Sequence, residues 1–243
     1  MNRRSIRKYS SEPVDEQMLT QILEEGCRSS TTGNMQVYSI IITRDAEKKK
    51  MLTPLHFNQK MIIEAPVVLT FCADFNRFNK WCLLRKAEPC YDNFLSFMTA
   101  AMDAIIATQT VSISAESRGL GICYIGTTIY MAHKIIEVLN LPKGVVPVTT
   151  ITIGWPAENP EQSDRLPMES IVHKETYTDY SGKDIENYYR EKEGRSDSKI
   201  FIAENNKETL AQVFTDVRYK KSDNIFFSNT LLQVLKDQGF MNN

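Results

Sequence analysis

The chain has 243 residues, of which 42% are hydrophobic, and its 29 basic and 30 acidic residues leave a formal net charge of −1. This length can bury a sizeable core in one domain, or in one domain with an addition. The balanced charge gives no reason to expect a nucleic-acid partner. No signal peptide or membrane-spanning segment is predicted, because the longest apolar runs have strand length, far below about 20 residues. We therefore expect a soluble cytoplasmic protein.

Sequence motifs that mark common catalytic and metal sites are absent. The chain contains no GxSxG, HExxH, Walker A or CxxC sequence, and its three histidines lack the spacing of metal ligands. Its five cysteines are an odd number and a poor disulfide framework, so three are expected as reduced core residues, with a Cys82–Cys90 redox pair as the alternative. No nucleophile or general base stands out. If the protein is an enzyme, we expect a cofactor to carry the chemistry.

The N-terminal sequence RRSIRKY (3–9) packs four cations around a serine. Such a run is often a solvated tail. The alternative is a phosphate site, because Arg donors in a fork geometry and a Ser hydroxyl suit a phosphate monoester. A helix is then predicted to begin at the N-cap Asp15 and to stop near Gly26, with Val14 and Leu19 placed for a hydrophobic staple.

A polar loop over residues 28–36 leads into a predicted strand over 37–43. Its Asn and Gln side chains suit either a plain connector or a surface for the edge of a polar heterocycle. A short basic helix is predicted over 44–52, and another begins at 58 and ends before Pro66. Residues 66–73 are almost all apolar, which predicts a strand buried on both faces. Residues 78–90 are interpreted as a link.

One long helix is predicted from Asp92 to Arg118, with no Pro or Gly inside it. It would span roughly 40 Å. Apolar residues lie almost all round it, so we expect burial on every face, either in a large core or against a second subunit. Gly119 suits a left-handed C-cap, and a short buried strand follows it.

The remaining chain predicts a helix over 129–141, with an exposed His133, and a strong strand over 145–154. From residue 171 onward the composition is polar, and the tail holds too few apolar residues to fold alone. Helices are predicted there at Asp184–Glu193, Lys207–Asp216 and Ser228–Gln238, the last with Ser228 as N-cap and Gly239 after its C-terminus.

Taken together, these segments resemble the flavin-dependent nitroreductases, in particular the branch of oxygen-insensitive NADPH nitroreductases and NADPH–flavin oxidoreductases. The resemblance covers roughly residues 3–175 in the same order, and the combination is far more specific than any single piece. The segments that carry it are RRSIRKY (3–9), TTGNMQ (31–36), FCADFNR (71–77), ESRGLGICYIG (116–126), LNLPKGVVPV (139–148), IGWPAENP (153–160) and RLP (165–167).

The resemblance implies an α+β, nitroreductase-like three-layer fold, in which helices flank a central mixed or antiparallel sheet. It also implies an intertwined homodimer with FMN bound at the subunit interface and the long helix central to the dimer. Residues 1–175 would form the FMN-binding core. Residues 176–243 would form a C-terminal helical extension that wraps the core or the partner subunit.

Matched positions imply which residues bind FMN, and no catalytic side chain or metal is implied, because flavin N5 carries the chemistry. The N-terminal residues and Arg165 would hold the phosphate, and the loop 31–36 would contact the ring of the partner subunit's flavin. Gln59 would bond the pyrimidine edge, and the backbone of 124–127 would pass close to N5. The predicted cofactor-binding residues are Arg3, Arg4, Ser5, Arg7, Thr31, Thr32, Gly33, Asn34, Gln36, Gln59, Tyr124, Ile125, Gly126, Thr127, Ser163 and Arg165.

The activity implied is ping-pong hydride transfer from NADPH or NADH, through FMN, to a nitroaromatic, a quinone or free flavin. Two positions depart from the branch. Thr127 stands where a second glycine is common and could crowd the N5 side, and Ser163 stands where a lysine is associated with the phosphate. These departures leave open a flavin-family enzyme of different chemistry, such as a dehalogenase or flavin destructase, or a non-catalytic flavin-binding protein. Cations at 192, 195 and 199, in a stretch expected to be flexible, are a hypothesis for NADPH recognition.

Overall fold

A four-stranded sheet forms the centre of the fold within residues 3–242, the range that the computed structural model describes. Its neighbouring strands are all antiparallel, in the spatial order first, second, fourth, third. The structure therefore confirms the α+β prediction and selects the antiparallel arrangement from the two predicted sheet types. The strands are β1 (Tyr38–Thr43), β2 (Val67–Asp74), β3 (Gly121–Ile125) and β4 (Val145–Gly154).

Helices account for most of the remaining regular structure, and ten α-helices are assigned within the described range. The longest packs along β2 and β4, and the first packs on the longest. They are α1 (Glu16–Cys27), α2 (Ala46–Leu52), α3 (Met61–Glu64), α4 (Asn76–Leu84), α5 (Phe94–Ser117), α6 (Ala132–Leu139), α7 (Gly182–Gly194), α8 (Ser196–Glu204), α9 (Leu210–Val213) and α10 (Lys221–Asp237).

The sheet is covered on both faces, because neighbouring residues of a strand point to opposite sides. On β3, Ile122 joins a core cluster that includes residues of α1 and α5. Cys123 and Ile125 join a second cluster, with residues of α2, α3 and α6. All eight residues of β2 are buried, which confirms the prediction of a strand covered on both faces. Helix, sheet and helix therefore form three layers.

Helix α5 is buried along one face only. Small residues there, among them Ala100, Ala104 and Ala107, are fully buried. By length and composition this helix is the one candidate for a membrane span among the described residues, but half of the relevant window is buried inside the fold, as in the core helix of a soluble protein. Its opposite face is apolar and uncovered in the single chain, so the predicted burial on every face is not achieved within one copy. The exposed large side chains are Phe94, Leu95, Met98, Met102, Ile105, Ile106 and Ile113.

Helix ends that carry a strong local signal lie where the sequence predicts them. The Asp15 side chain accepts a hydrogen bond from the Met18 N–H at 2.9 Å and caps α1. Gly119 follows α5 with φ +83°, and Gly239 follows α10 with φ +85°. The left-handed conformation at both positions suits glycine, which has no Cβ to clash.

Four predictions about local structure are wrong. Residues 78–90 are not merely a link, since α4 occupies most of the first half, and the expected flexible stretch near 195 contains α8. The last helix begins at Lys221, so Ser228 lies in its interior and is not its N-cap. His133 is half-buried and its Nδ1 has no hydrogen-bond partner among the described residues. Helices α4, α8 and α10 begin with polar or aromatic residues, so no apolar period marks where each of them starts.

By internal contacts the chain divides into two compact units. One contains residues 3–161 and 227–242 of the described range, and the other contains 162–226. The second boundary falls within α10. The predicted boundary at residue 175 concerns the FMN-binding core, and it stays a prediction. All five cysteines are free, with Cys72, Cys82 and Cys123 buried and Cys27 and Cys90 exposed.

Candidate active site

The N-terminal cationic segment is built into the larger unit beside β3. The Ile6 N–H donates to the Ile122 carbonyl at 2.9 Å, and the Ile6 side chain is buried. Gly121 makes this approach feasible, because a Cβ there would lie 2.7 Å from the Cβ of Ile6. Tyr9 forms a bridge with Pro156 and fixes the end of the segment. Residues 3–9 are therefore not a solvated tail.

The three arginines of this segment differ in their surroundings. Arg3 Nε lies 3.4 Å from Glu116 Oε1, and its guanidinium lies 5.6 Å from the centre of the Tyr124 ring. Burial raises the pKa of the Glu116 carboxyl, and the Arg3 charge opposes that shift. Arg4 donates to Asn159 Oδ1 and, at 3.0 Å, to a neighbouring backbone carbonyl. Arg3 and Arg4 are thus anchored by the protein itself.

Arg7 has an exposed side chain, and no acidic group within residues 3–242 forms an ion pair with it. Its backbone N–H donates to Glu158 Oε1 at 2.6 Å, and the Lys8 N–H donates to the same oxygen at 3.1 Å. The carboxylate therefore fixes the backbone and leaves the guanidinium to solvent or a ligand. Ser5 is half-buried between these cations.

The loop that contains Thr31 to Gln36 is anchored to α5 and held in an unusual backbone conformation. The N–H and hydroxyl of Thr32 both donate to Asp103 Oδ1, at 2.9 and 3.1 Å. Gly33, Asn34 and Gln36 all have positive φ, which is uncommon for residues other than glycine. Gln36 Nε2 donates to the Asn34 carbonyl at 2.8 Å. The loop consequently has a defined conformation that is anchored to α5.

A second polar cluster lies where β3 ends. Thr127 Oγ1 is 3.1 Å from His56 Nδ1 and 3.3 Å from Gln59 Nε2, and Gln59 Nε2 also donates to the His56 carbonyl at 3.0 Å. Gly126 beside it is exposed, and a Cβ built there would meet no atom within 4 Å. Ile125 is buried beneath it. The structure thus brings three predicted residues, Gln59, Gly126 and Thr127, together with His56.

The remaining predicted residues lie in the loop 31–36 and at Ser163 and Arg165. Within residues 3–242, no hydrogen bond joins the loop 31–36 to the His56–Gln59–Thr127 cluster. Arg165 belongs to the smaller unit, where its guanidinium donates to the carbonyls of Ser163 and Asp164 at 3.4 and 2.7 Å. Their roles in binding FMN stay predictions.

Cations suggested for NADPH recognition are partly paired within the smaller unit. Lys192 Nζ lies 2.7 Å from Asp164 Oδ2, and this hydrogen bond is the main cause that lowers the pKa of the Asp164 carboxyl. Arg195 donates to both carboxylate oxygens of Asp197 at 3.0 Å. A 2′-phosphate would have to compete with these carboxylates, so the hypothesis stays untested.

Sequence reasoning missed His56, Asp103 and an aromatic group next to the cluster. Asp103 is the only charged residue between 94 and 115, a signal that could have marked it as a buried anchor. Phe57 follows His56 with φ +54°, an outlier for a bulky residue. Its ring lies 6.2 Å from that of Tyr130 and 5.9 Å from that of Phe227, rings too distant in sequence to be linked by pattern.

Comparison with known proteins identifies the family of this chain. The Nitroreductase family profile matches residues 1–155. The chain is 41% identical over 177 residues to the FMN reductase [NAD(P)H] of Bacillus subtilis, covering 72% of this chain and 71% of the relative. It is 34% identical over 188 residues to the oxygen-insensitive NADPH nitroreductase of Salmonella typhimurium, covering 76% and 75%.

Similarity to solved structures extends over nearly the whole chain. A crystal structure from Bacteroides fragilis NCTC 9343, proposed by its name to be an oxidoreductase, has 56% sequence identity and a TM-score of 0.98. The matched region covers 99% of this chain and 98% of the chain in that structure. The family match spans well over half of the sequence, and the fold and the segments around the candidate site agree with it. This chain belongs to the nitroreductase family.

Proposed function

We propose that this protein is an FMN-dependent NAD(P)H oxidoreductase that reduces nitroaromatics, quinones or free flavin by ping-pong hydride transfer, as a cytoplasmic homodimer. The names of its relatives, an FMN reductase and an NADPH nitroreductase, support this activity. Bound FMN would accept and deliver the hydride at its ring, and the protein would bind and orient the reactants. The observation that carries the proposal is the open face at Gly126, flanked by the polar side chains of Gln59 and Thr127.

Residues around Gly126 fit a flat polar ring. Because a Cβ at Gly126 would meet nothing, a ligand can lie directly against the backbone there. Thr127 has φ −86° and ψ −3°, and this negative φ does not require glycine at position 127. Its side chain turns to His56 and Gln59. The departure at Thr127 is thus compatible with flavin binding.

The N-terminal segment fits a phosphate. Arg7 offers an exposed guanidinium without an acidic partner in the described range, and Ser5 offers a hydroxyl two residues earlier. Arg3 lies over the ring of Tyr124, a residue that precedes Gly126 by two positions. A further cation therefore lies close to this part of β3. Charge-assisted hydrogen bonds from arginine are the usual way to hold a phosphate monoester. In this proposal the phosphate and ring sites would both lie along the same strand, β3.

Two observations support a dimer. Helix α5 exposes a stripe of seven large apolar side chains, and such a patch on a soluble protein usually marks an interaction surface. The loop 31–36 is ordered by Asp103 of that helix, yet no hydrogen bond joins it to the Gly126 region within the described chain. A second copy on the α5 stripe would bring a partner loop to the site. A two-fold arrangement would do so for both sites at once.

The proposal is tested by the visible spectrum of the purified protein reconstituted with FMN. Under nitrogen, excess NADPH should bleach the flavin bands, and nitrofurazone or a quinone should restore them with a fixed ratio of NADPH consumed to acceptor reduced. Bands that appear but never bleach would identify a non-catalytic flavin-binding protein. A protein that takes up no FMN would overturn the proposed function altogether.

A further inference from the structure

The cluster of His56, Gln59 and Thr127 has a definite pattern of donors and acceptors, and any role of that pattern in binding flavin rests on the proposed function. Gln59 Nε2 is committed to the protein, because it donates to the His56 carbonyl at 3.0 Å and approaches Thr127 Oγ1 at 3.3 Å. The amide group is thereby oriented, since reversing it would set its oxygen against the His56 carbonyl oxygen. The half-buried side chain leaves its Oε1, an acceptor, available.

The protonation of His56 follows from its burial. Its side chain is fully buried, and burial lowers the pKa of the imidazole from 6.5 to about 4, so the ring is neutral near neutral pH. Nε2 is buried with no hydrogen-bond partner within residues 3–242. Orphaned buried N–H groups are rarer in folded proteins than acceptors that lack a partner. The single ring proton is therefore assigned to Nδ1, which donates to Thr127 Oγ1 over 3.1 Å.

This assignment determines what the Thr127 hydroxyl can do. A hydroxyl has two acceptor lone pairs and one donor hydrogen. The lone pairs receive His56 Nδ1–H and Gln59 Nε2–H, so the hydrogen is left to donate elsewhere. The half-buried Thr127 adjoins the open face of Gly126. One O–H donor and one amide C=O acceptor, on side chains that touch each other, thus remain available at the site.

The resemblance already implies that Gln59 contacts the flavin pyrimidine edge; we propose that the Thr127 hydroxyl is the donor to the adjacent ring C=O, beside the N–H that the Gln59 amide oxygen would accept, with His56 as the positioning residue. An imide edge presents these two groups side by side, which matches the pair. In this arrangement Thr127 contacts the ring through its hydroxyl, whereas a glycine at this position would offer no side chain to bind the ring. His56 acts through Thr127, because its Nδ1–H sets the hydroxyl's orientation.

The test compares apo-protein variants by titrating FMN and following flavin fluorescence. Thr127→Val keeps the shape and removes the hydroxyl, and it should weaken FMN binding roughly three- to tenfold, the effect of one neutral hydrogen bond. Thr127→Ser keeps the hydroxyl and should bind within about twofold of wild type. If the valine variant does not fold, Thr127→Ala takes its place.

A second readout separates ring contact from packing. A donor to a ring carbonyl stabilises the electron-rich reduced ring more than the oxidised one, so the midpoint potential of bound flavin should fall with valine and recover with serine. His56→Phe should weaken binding less than Thr127→Val, and the double variant should bind no more weakly than Thr127→Val alone, which is the non-additivity expected if His56 acts through Thr127. Additive losses would overturn the positioning role.

The outcomes distinguish this inference from the proposed function. If wild type binds no FMN, the proposed function fails. If wild type binds FMN and reduces acceptors while Thr127→Val has the same affinity and potential, the donor–acceptor pair is wrong and the function stands. If the serine variant loses as much affinity as the valine variant, keeping the hydroxyl does not preserve binding, and the donor role of Thr127 is overturned. A 3-methyl-FMN analogue, which lacks the ring N–H, should bind wild type more weakly than FMN, and equal affinity would contradict the role of the Gln59 oxygen.

Discussion

At the scale of single residues, two glycines of the same strand region serve different purposes. A Cβ at Gly121 would lie 2.7 Å from the Ile6 Cβ, whereas a Cβ at Gly126 would meet nothing within 4 Å. Glycine at 121 is therefore required by the fold. At 126 the fold itself makes no such demand, so we attribute the small residue to the ligand proposed to lie against it.

Alanine at position 126 should consequently affect FMN binding, whereas alanine at position 121 should affect the stability of the apo-protein. Gly126→Ala should leave the melting temperature of the apo-protein nearly unchanged and weaken FMN binding roughly five- to 150-fold, the effect of about 1–3 kcal/mol of overpacking against a ligand. Gly121→Ala should lower the apo-protein's stability by about 1–3 kcal/mol, because Ile6 has to move. Thermal unfolding and flavin titration of both variants measure this. Unchanged FMN affinity in Gly126→Ala would place the ring elsewhere.

His56 should make stability depend on pH. Burial lowers its pKa from 6.5 to about 4, so between these values the unfolded chain binds a proton that the folded chain excludes. Stability from this group is complete above pH 6.5 and is lost as the pH falls towards 4, by about 3 kcal/mol in total. Urea unfolding measures the unfolding free energies of wild type and His56→Asn across this pH range. As the pH falls from 6.5 to 4, wild type should lose about 3 kcal/mol of stability relative to the variant. Parallel curves would mean that the imidazole titrates normally.

At the scale of elements, the N-terminal segment depends on one buried hydroxyl. Tyr9 Oη donates to the Ile6 carbonyl at 2.7 Å and lies 2.7 Å from Thr152 Oγ1 of β4. Burial raises the pKa of this phenol, so it stays protonated. Through these two contacts a single side chain links Tyr9 to Ile6, on the other side of Arg7, and ties the segment to β4.

Tyr9→Phe should therefore loosen the whole segment. Loss of the hydroxyl leaves a buried carbonyl and a buried threonine without their partner, and we expect about 1–3 kcal/mol less stability. Hydrogen exchange at the Ile6 amide, which is bonded to Ile122, should accelerate. Tyr130→Phe is the matched control, since the Tyr130 hydroxyl has no hydrogen bond within the described range. Equal losses in the two variants would show that the Tyr9 hydroxyl has no anchoring role.

Elements could be predicted from sequence where the signal is local. The apolar run of β2, the Asp15 cap and the glycine after α5 are each recognisable within a few residues. Helix α4 and the first half of α10 are not, because their side chains are mixed aromatic and polar, and no side-chain hydrogen bond caps the start of α4. The site shows the same limit. Thr127 and His56 are 71 residues apart, so their contact exists only through the sheet and its connections.

At the scale of the whole molecule, the apolar stripe of α5 is exposed in a single chain and would be buried in a dimer. Its side chains are spaced so that they share one helix face, opposite the alanines that pack on the sheet. Burying an aliphatic side chain of this size contributes about 1.5–3 kcal/mol, and a two-fold interface counts each position twice. Burial of this surface would be enough to stabilise the proposed dimer.

Ile105→Glu tests this directly, because Ile105 is 49% exposed in the single chain and the substitution leaves the core intact. A carboxylate forced into an apolar interface loses hydration without gaining a partner, so we expect monomers by light scattering and weaker FMN binding. Gln21→Glu on the exposed surface of α1 adds the same charge as a control and should leave a dimer with wild-type affinity. A wild-type protein that is monomeric at micromolar concentration and still binds FMN would show that each chain holds a complete site by itself. In that case the loop 31–36 would not be needed at a partner's flavin site.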